Sequence, residues 1–257
     1  MAGSEVDFTG RVVLVTGGAR GVGRGITSAF ASRGAAVVVC GRNEPDAGSL
    51  PDRVSFVACD VRDADAVSAL VDTIVSRHGR LDVAVNNAGG APFADAATAS
   101  PRFHSQIINL NLVAALHVAQ RANAVMQAQP DGGSIINVSS VSGLRPSPGT
   151  AAYGAAKAGL VSLTQTLAVE WAPKVRVNCV SLGMVRTEQA QHHYGDEDGI
   201  AAVGATVPLG RLASLEDAAG PFVFLASPLA AYVSGANLVV HGGGERPAFL
   251  SVANADH

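Results

Sequence analysis

Residues 11–42 read RVVLVTGGARGVGRGITSAFASRGAAVVVCGR, and this stretch decides the fold. An apolar, β-branched run at 11–16 ends on a glycine cluster. Apolar residues then recur at Val22, Ile26, Ala29 and Phe30 with helical spacing, and a second apolar run closes at 35–40. Strand, helix and strand in that order leave room for the right-handed crossover that joins parallel strands. Both runs are apolar throughout rather than alternating, which places them inside a sheet covered on both faces.

The alternation continues outward. Further strands are expected at 53–59, 81–86, 134–139, 175–181 and 236–242. Helices are expected at Ala64–His78, from Ser105 to Ala128, and from Tyr153 to Trp171, the last with Leu160, Leu163, Leu167 and Trp171 facing a core. Ser214 and Asp217 have capping-box spacing, with Asp where Glu or Gln is usual, and open an apolar helix through Leu225. Seven strands alternating with helices, and no linker-like gap, predict one doubly wound α/β domain over 1–257. The segment 188–206 departs from the pattern: it holds QAQHHYGDEDG with little periodic apolar content, and reads as an excursion at the edge of a ligand crevice.

Of the 257 residues 48% are hydrophobic and 15% charged, which excludes a disordered chain. Eighteen basic against twenty-one acidic residues, with no run of like charge, argue against a nucleic-acid partner, which needs clustered Lys and Arg. Cys40, Cys59 and Cys179 are odd in number and sit in apolar runs, so they read as buried free thiols in a reducing compartment, without a zinc knuckle. The start MAGSEVDFTG lacks a secretion pattern, and no stretch reaches the roughly eighteen apolar residues of a membrane span; the expectation is a cytoplasmic protein with no membrane partner.

Three places carry chemistry. The cluster Thr16 to Gly23, spaced G-x-x-x-G-x-G, lies between strand and helix, where glycines let a pyrophosphate approach the unpaired N–H groups of the helix start. At the end of the second strand an NAD site usually shows an acid for the adenosine ribose. This chain has Arg42 there and Arg20 in the glycine loop, two guanidiniums able to pair with a 2′-phosphate, so NADP(H) is favoured over NAD(H); two ordinary solvated arginines are the alternative. Finally, Tyr153 and Lys157 stand four apart on one helix face, where a nearby ammonium favours the phenolate and fits Tyr for acid–base work. Ser139 and Ser140 end a strand at the same sheet edge.

Over nearly its whole length the chain resembles the classical short-chain dehydrogenase/reductase family. The likeness rests on TGGARGVG (16–23), CDV (59–61), NNAG (86–89), NLNLVAA (109–115), INVSS (136–140), YGAAK (153–157), VRVNCVSLG (175–183), Thr187 and PLGR (208–211). It implies a Rossmann-type, NAD(P)-dependent oxidoreductase interconverting a secondary alcohol and a ketone, with Asn111, Ser140, Tyr153 and Lys157 catalytic. The spacing of the family selects Ser140 over Ser139, and Asn111 matches the asparagine that holds a proton-relay water. Cofactor contacts are implied for Gly17, Arg20, Gly21, Val22, Gly23, Arg42, Asp60, Val61, Asn87, Ala88, Gly89, Tyr153, Lys157, Gly183, Val185 and Thr187. The implied assembly is a homotetramer or homodimer.

Two positions depart from the family. Leu182-Gly183 replaces Pro-Gly, which leaves a backbone donor and a freer φ in the nicotinamide loop, and His241 stands where Asp is common before Gly-Gly. His192, His193 and Tyr194 read as surface residues or substrate contacts, and no metal site is expected. Arg145 either meets an anionic substrate or holds its own loop. A pocket walled by Ala91, Pro92, Phe93, Ser142, Leu144 and Arg145 admits many alcohols and ketones. A nucleotide-sugar epimerase or dehydratase would need a larger C-terminal region, and a non-catalytic dinucleotide-binding sensor or scaffold would be expected to lack Ser140, Tyr153 or Lys157.

Overall fold

A computed structural model describes residues 6–252; Met1–Glu5 and residues 253–257, the two ends of the expected 1–257 domain, lie outside the described residues. The strands are β1 (Val12–Thr16), β2 (Ala36–Gly41), β3 (Val54–Ala58), β4 (Val83–Asn86), β5 (Gly133–Ser140), β6 (Val175–Leu182) and β7 (Asn237–Val240). They form one parallel sheet in the order β3-β2-β1-β4-β5-β6-β7. Chain direction along the sheet reverses between β1 and β4. At such a switch point the connecting loops leave on opposite faces, and a crevice opens at the carboxyl ends of the strands.

Helices cover both faces, as the uninterrupted apolar strands require. On one side α2 (Ala64–His78), α4 (Ala114–Ala128) and α5 (Ala151–Glu170) bury Leu70, Ile74, Val118, Met126 and Leu167 against Leu14, Val38 and Ile135. On the other, α1 (Gly21–Ala31) and α8 (Leu215–Ala226) bring Ile26, Phe30 and Phe222 onto Val13, Val15 and Ile136. Phe30 and Phe222 are fully buried, each stabilising the fold by about 2–3 kcal/mol through apolar area removed from water. The expected capping box of α8 forms: Ser214 Oγ accepts from Asp217 N–H, and the Asp217 carboxylate accepts from Ser214 N–H.

Two elements differ from expectation. The helical stretch expected from Ser105 starts earlier, as α3 (Pro101–Ile108), capped by Ser100 with Pro at the first turn, and a π turn at Asn109–Val113 separates it from α4. One extra residue in a turn leaves an apolar period almost unchanged, so periodicity does not reveal it. The polar excursion at 188–206 holds α6 (Ala190–Tyr194) and α7 (Glu197–Ala205). Their small core of Ala190, Ile200 and Leu212 offers too few apolar letters for a periodic signal.

Candidate active site

The loop from β1 to α1 leaves the helix start uncapped. Arg20 at the N-cap makes no side-chain bond, and the first turn holds no acidic residue, whereas Asp63, Ser100, Asp196 and Ser214 cap α2, α3, α7 and α8. Free N–H groups at a helix start attract anions. One has an anionic partner: Gly21 N–H donates to a Glu188 carboxylate oxygen at 3.1 Å, and Glu188 also lies 3.8 Å from Arg24. A Cβ on Gly23 would stand 2.3 Å from the Gly17 carbonyl oxygen, so only glycine permits this close turn. An uncapped helix start, a glycine turn and a carboxylate stand-in fit a dinucleotide pyrophosphate.

Thr16, which opens the glycine cluster, ties this loop to the turn after β4 through contacts that the motif does not announce. Its buried Oγ1 accepts from Asn87 N–H at 3.0 Å and Ala88 N–H at 2.9 Å, while the Asn87 amide donates back to the Thr16 and Gly17 carbonyls. Gly183 N–H donates to Val240 O at 2.9 Å, and Val185 bridges to Ala213. Thr187 packs toward Gly21, so the expected nicotinamide-side segment closes on the glycine loop. Leu182 extends β6 in register with Val240, where a proline would lack a donor.

At the expected adenosine end, Asp60 is held by Arg62 through Nε at 2.9 Å and Nη2 at 2.5 Å. Arg62 was not anticipated; its guanidinium, with a smaller contribution from Arg42, pulls the Asp60 carboxyl down to about 2. The Val61 side chain is buried in the core, so its contribution to a ligand is confined to its backbone. Arg20 and Arg42 are exposed, and neither enters an ion pair among the described residues. Val22 is half-buried against the α1 core.

The two serines that end β5 diverge in role. Ser139 is buried and donates to Lys157 O at 2.9 Å, whereas Ser140 is half-buried and its Oγ accepts from Ser142 N–H at 3.1 Å. Lys157 is buried; its Nζ donates to Val138 O at 2.7 Å and lies 5.5 Å from the Tyr153 ring centroid. Burial lowers Lys157 to about 8. The expected lowering of the tyrosine by its lysine neighbour is not the dominant influence: burial raises the Tyr153 phenol above its ordinary 10, and Ser140 opposes that rise. An ammonium lodged over the ring and tied to a carbonyl favours the phenolate less than one beside the oxygen.

Asn111 sits in the π turn, buried, with its amide fully engaged: Nδ2 donates to Gly90 O and Ile107 O, both at 2.9 Å, and Oδ1 accepts from Gly90 N–H at 2.8 Å. The side chain clamps the Gly89–Gly90 turn onto the π turn. A Cβ on Gly89 would come within 2.6 Å of that Oδ1 and 3.3 Å of Lys157 Nζ. π turns recur at functional sites because they release a backbone carbonyl from the helical ladder.

Arg145 donates to Pro146 O at 2.9 Å and pairs with Glu245, the geometry of a residue that holds its own loop. His192 and His193 are exposed on α6, and His241 packs its Cβ against Gly183. Among the described residues no group of three or more His, Cys, Asp or Glu is placed to hold a metal ion. No helix among them is long and apolar enough to cross a membrane.

Residues 17–245 match the family described as enoyl-(acyl carrier protein) reductase. Over 245 residues the chain is 38% identical to L-rhamnose 1-dehydrogenase (NAD(P)(+)) of Azotobacter vinelandii, covering 91% of this chain and 96% of that protein. It is 39% identical over 244 residues to an uncharacterized short-chain type dehydrogenase/reductase of Sinorhizobium fredii, covering 91% of this chain but 43% of that longer protein. The ligand-free aldohexose dehydrogenase of Thermoplasma acidophilum superposes with a TM-score of 0.88 at 29% identity, covering 99% of each chain. The chain belongs to the short-chain dehydrogenase/reductase family. It is an NAD(P)-dependent oxidoreductase.

Proposed function

We propose that the protein interconverts a secondary alcohol and a ketone, with Tyr153 as the acid–base group and NADP(H) favoured over NAD(H). The observation that carries this reading is the convergence of Ser140, Tyr153 and a buried Lys157 beside the turn after β4. The bound dinucleotide supplies the hydride acceptor or donor. Ser140 orients the substrate oxygen and Tyr153 takes or returns its proton. Lys157 has ammonium hydrogens left for a ribose hydroxyl beyond the one given to Val138 O. Because the Asn111 amide is committed to Gly90 and Ile107, the water of the relay is assigned to a carbonyl freed in the π turn.

Gly17, Gly21, Val22 and Gly23 are assigned to the pyrophosphate, Arg20, Arg42, Asp60 and Val61 to the adenosine half, and Asn87, Ala88, Gly89, Gly183, Val185 and Thr187 to the nicotinamide half. Three buried free thiols support a cytoplasmic setting, and a homotetramer or homodimer is the proposed assembly. Tyr153→Phe tests the acid–base role. On an alcohol or ketone turned over by the unmodified protein, it should cut kcat by at least about a hundredfold, in line with general acid–base catalysis, with cofactor affinity nearly kept. Turnover close to the unmodified rate would remove Tyr153 from the chemistry.

A further inference from the structure

Cys40 and Cys59 play no part in the chemistry above, yet they stand together beneath its adenosine end. Cys40 of β2 is in register with Val57 of β3, and Cys59 follows two residues later with its N–H on Gly41 O at 2.9 Å. Residues two apart on a strand point to the same face, which puts both sulfurs on one side of the sheet. Both are buried in the same core, and each bears on the other's titration, Cys40 lowering the Cys59 thiol and Cys59 raising that of Cys40. Cys179 lies apart on β6, beside Ser139 and Thr164.

We propose that Cys40 and Cys59 are a modification site, an oxidisable dithiol that hydrogen peroxide closes to a disulfide, and that closure weakens dinucleotide binding. The Cys59 thiolate attacks a peroxide oxygen; the O–O bond breaks, hydroxide leaves and takes up a proton as water, and Cys59 becomes a sulfenic acid. The Cys40 sulfur then attacks Cys59 Sγ, the S–O bond breaks, and the departing hydroxyl leaves as a second water with the Cys40 proton. Two electrons pass from sulfur to peroxide, and a thiol reductant reverses the change. Cys59 stands two residues beyond Val57, the register partner of Cys40, so strand spacing and rise put the two Cα atoms roughly 8 Å apart, a span that a disulfide closes only when the backbone next to each cysteine moves. Those neighbours are Gly41-Arg42 and Asp60-Val61. The disulfide stands on the strand register and the shared face, whereas its effect on binding rests on the adenosine placement proposed above.

The test treats the purified protein with hydrogen peroxide, removes the excess with catalase, and reads free thiols, peptide crosslinks and NADPH affinity. The expected result is a fall from three free thiols to one, a Cys40–Cys59 crosslink, and an NADPH Kd raised about tenfold and restored by dithiothreitol. Cys59→Ala and Cys40→Ala should each bind NADPH when reduced and lose the crosslink; if either fails to fold, the crosslink map of the unmodified chain decides. Cys59 oxidised to sulfinic acid beside a free Cys40, or a crosslink that leaves the Kd unchanged, overturns the proposal. Asp60→Ala in the reduced protein separates the two readings, since unchanged affinity there faults the adenosine placement and not the dithiol.

Discussion

The Glu188 carboxylate accepts the Gly21 N–H at 3.1 Å, so a side chain of the segment after β6 holds the helix start assigned to the pyrophosphate. Cofactor and Glu188 then compete for one donor. Glu188 is half exposed and its second partner, Arg24, is equally exposed, so the contact is weak and salt-sensitive. Glu188→Gln keeps the size and removes the charge. With a helix-terminus charge worth about 1 kcal/mol at most on an exposed surface, NADPH and NADH should both bind up to about fivefold more tightly at low salt, and the gain should shrink in 0.5 M salt. Fluorescence titration at two ionic strengths checks this, and weaker binding by Glu188→Gln would show that the carboxylate supports the cofactor instead of displacing it.

A second expectation concerns Lys157. Burial lowers its ammonium from the ordinary 10.5 to about 8. Below about pH 8 both folded and unfolded chains hold the proton, and the full penalty of burying a charge is present. Between about 8 and 10.5 the unfolded chain keeps a proton that the folded chain has released, so stability rises with pH across that window. At pH 7 Lys157→Met removes a penalty of about 3 kcal/mol and forfeits the hydrogen bond to Val138 O, worth about 1 kcal/mol. The ligand-free variant should therefore melt roughly 5 °C higher while losing turnover and cofactor affinity. A lower Tm in calorimetry would contradict the charge penalty.

What the sequence makes legible follows from how each signal arises. Strand and helix order could be read because unbroken apolar runs alternate with helical apolar spacing, and the Ser214 cap because its letters are local. Tyr153 and Lys157 share a face by spacing alone. The Thr16 bridge to Asn87 and Ala88 joins residues some seventy positions apart, and no local pattern encodes such a contact. Arg62 was invisible for the opposite reason: a lone arginine after Asp60 carries no pattern. The lysine's effect on its tyrosine was misjudged because charge alone was weighed, and burial, which only the fold supplies, raises the phenol instead.

The free edge of the sheet supports a third expectation. Among the described residues β7 ends the sheet, with Leu238 and Val239 exposed, and Leu229 and Tyr232, which precede it in the chain, are largely exposed. Unprotected apolar edges are usually covered by a partner. If a second copy covers this one, light scattering of the unmodified protein should report a multiple of 25.9 kDa, and Leu229→Asp with Tyr232→Asp should reduce it toward a smaller assembly. A single 25.9 kDa particle at micromolar concentration would overturn the assembly.

Coenzyme choice gives the last expectation, and it rests on two guanidiniums that enter no ion pair among the described residues. Arg42 follows β2, is exposed, and acts electrostatically on Asp60, while Asp60 itself is taken by Arg62. Asp60 is thus engaged by Arg62, whereas Arg42 and Arg20 enter no ion pair among the described residues. Arg42→Asp deletes a charge-assisted hydrogen bond and adds repulsion beside the 2′-phosphate. A loss of about 2 kcal/mol is roughly thirtyfold in affinity, so the NADPH Kd should rise by at least that factor while the NADH Kd changes by less than about threefold. Arg20→Ala, an exposed change at the start of α1, should move the ratio in the same direction by a smaller amount. Parallel titrations of both coenzymes decide the matter. Equal losses for the two in Arg42→Asp would mean that the guanidinium stacks on adenine without reading the phosphate, and would leave the dehydrogenase chemistry untouched.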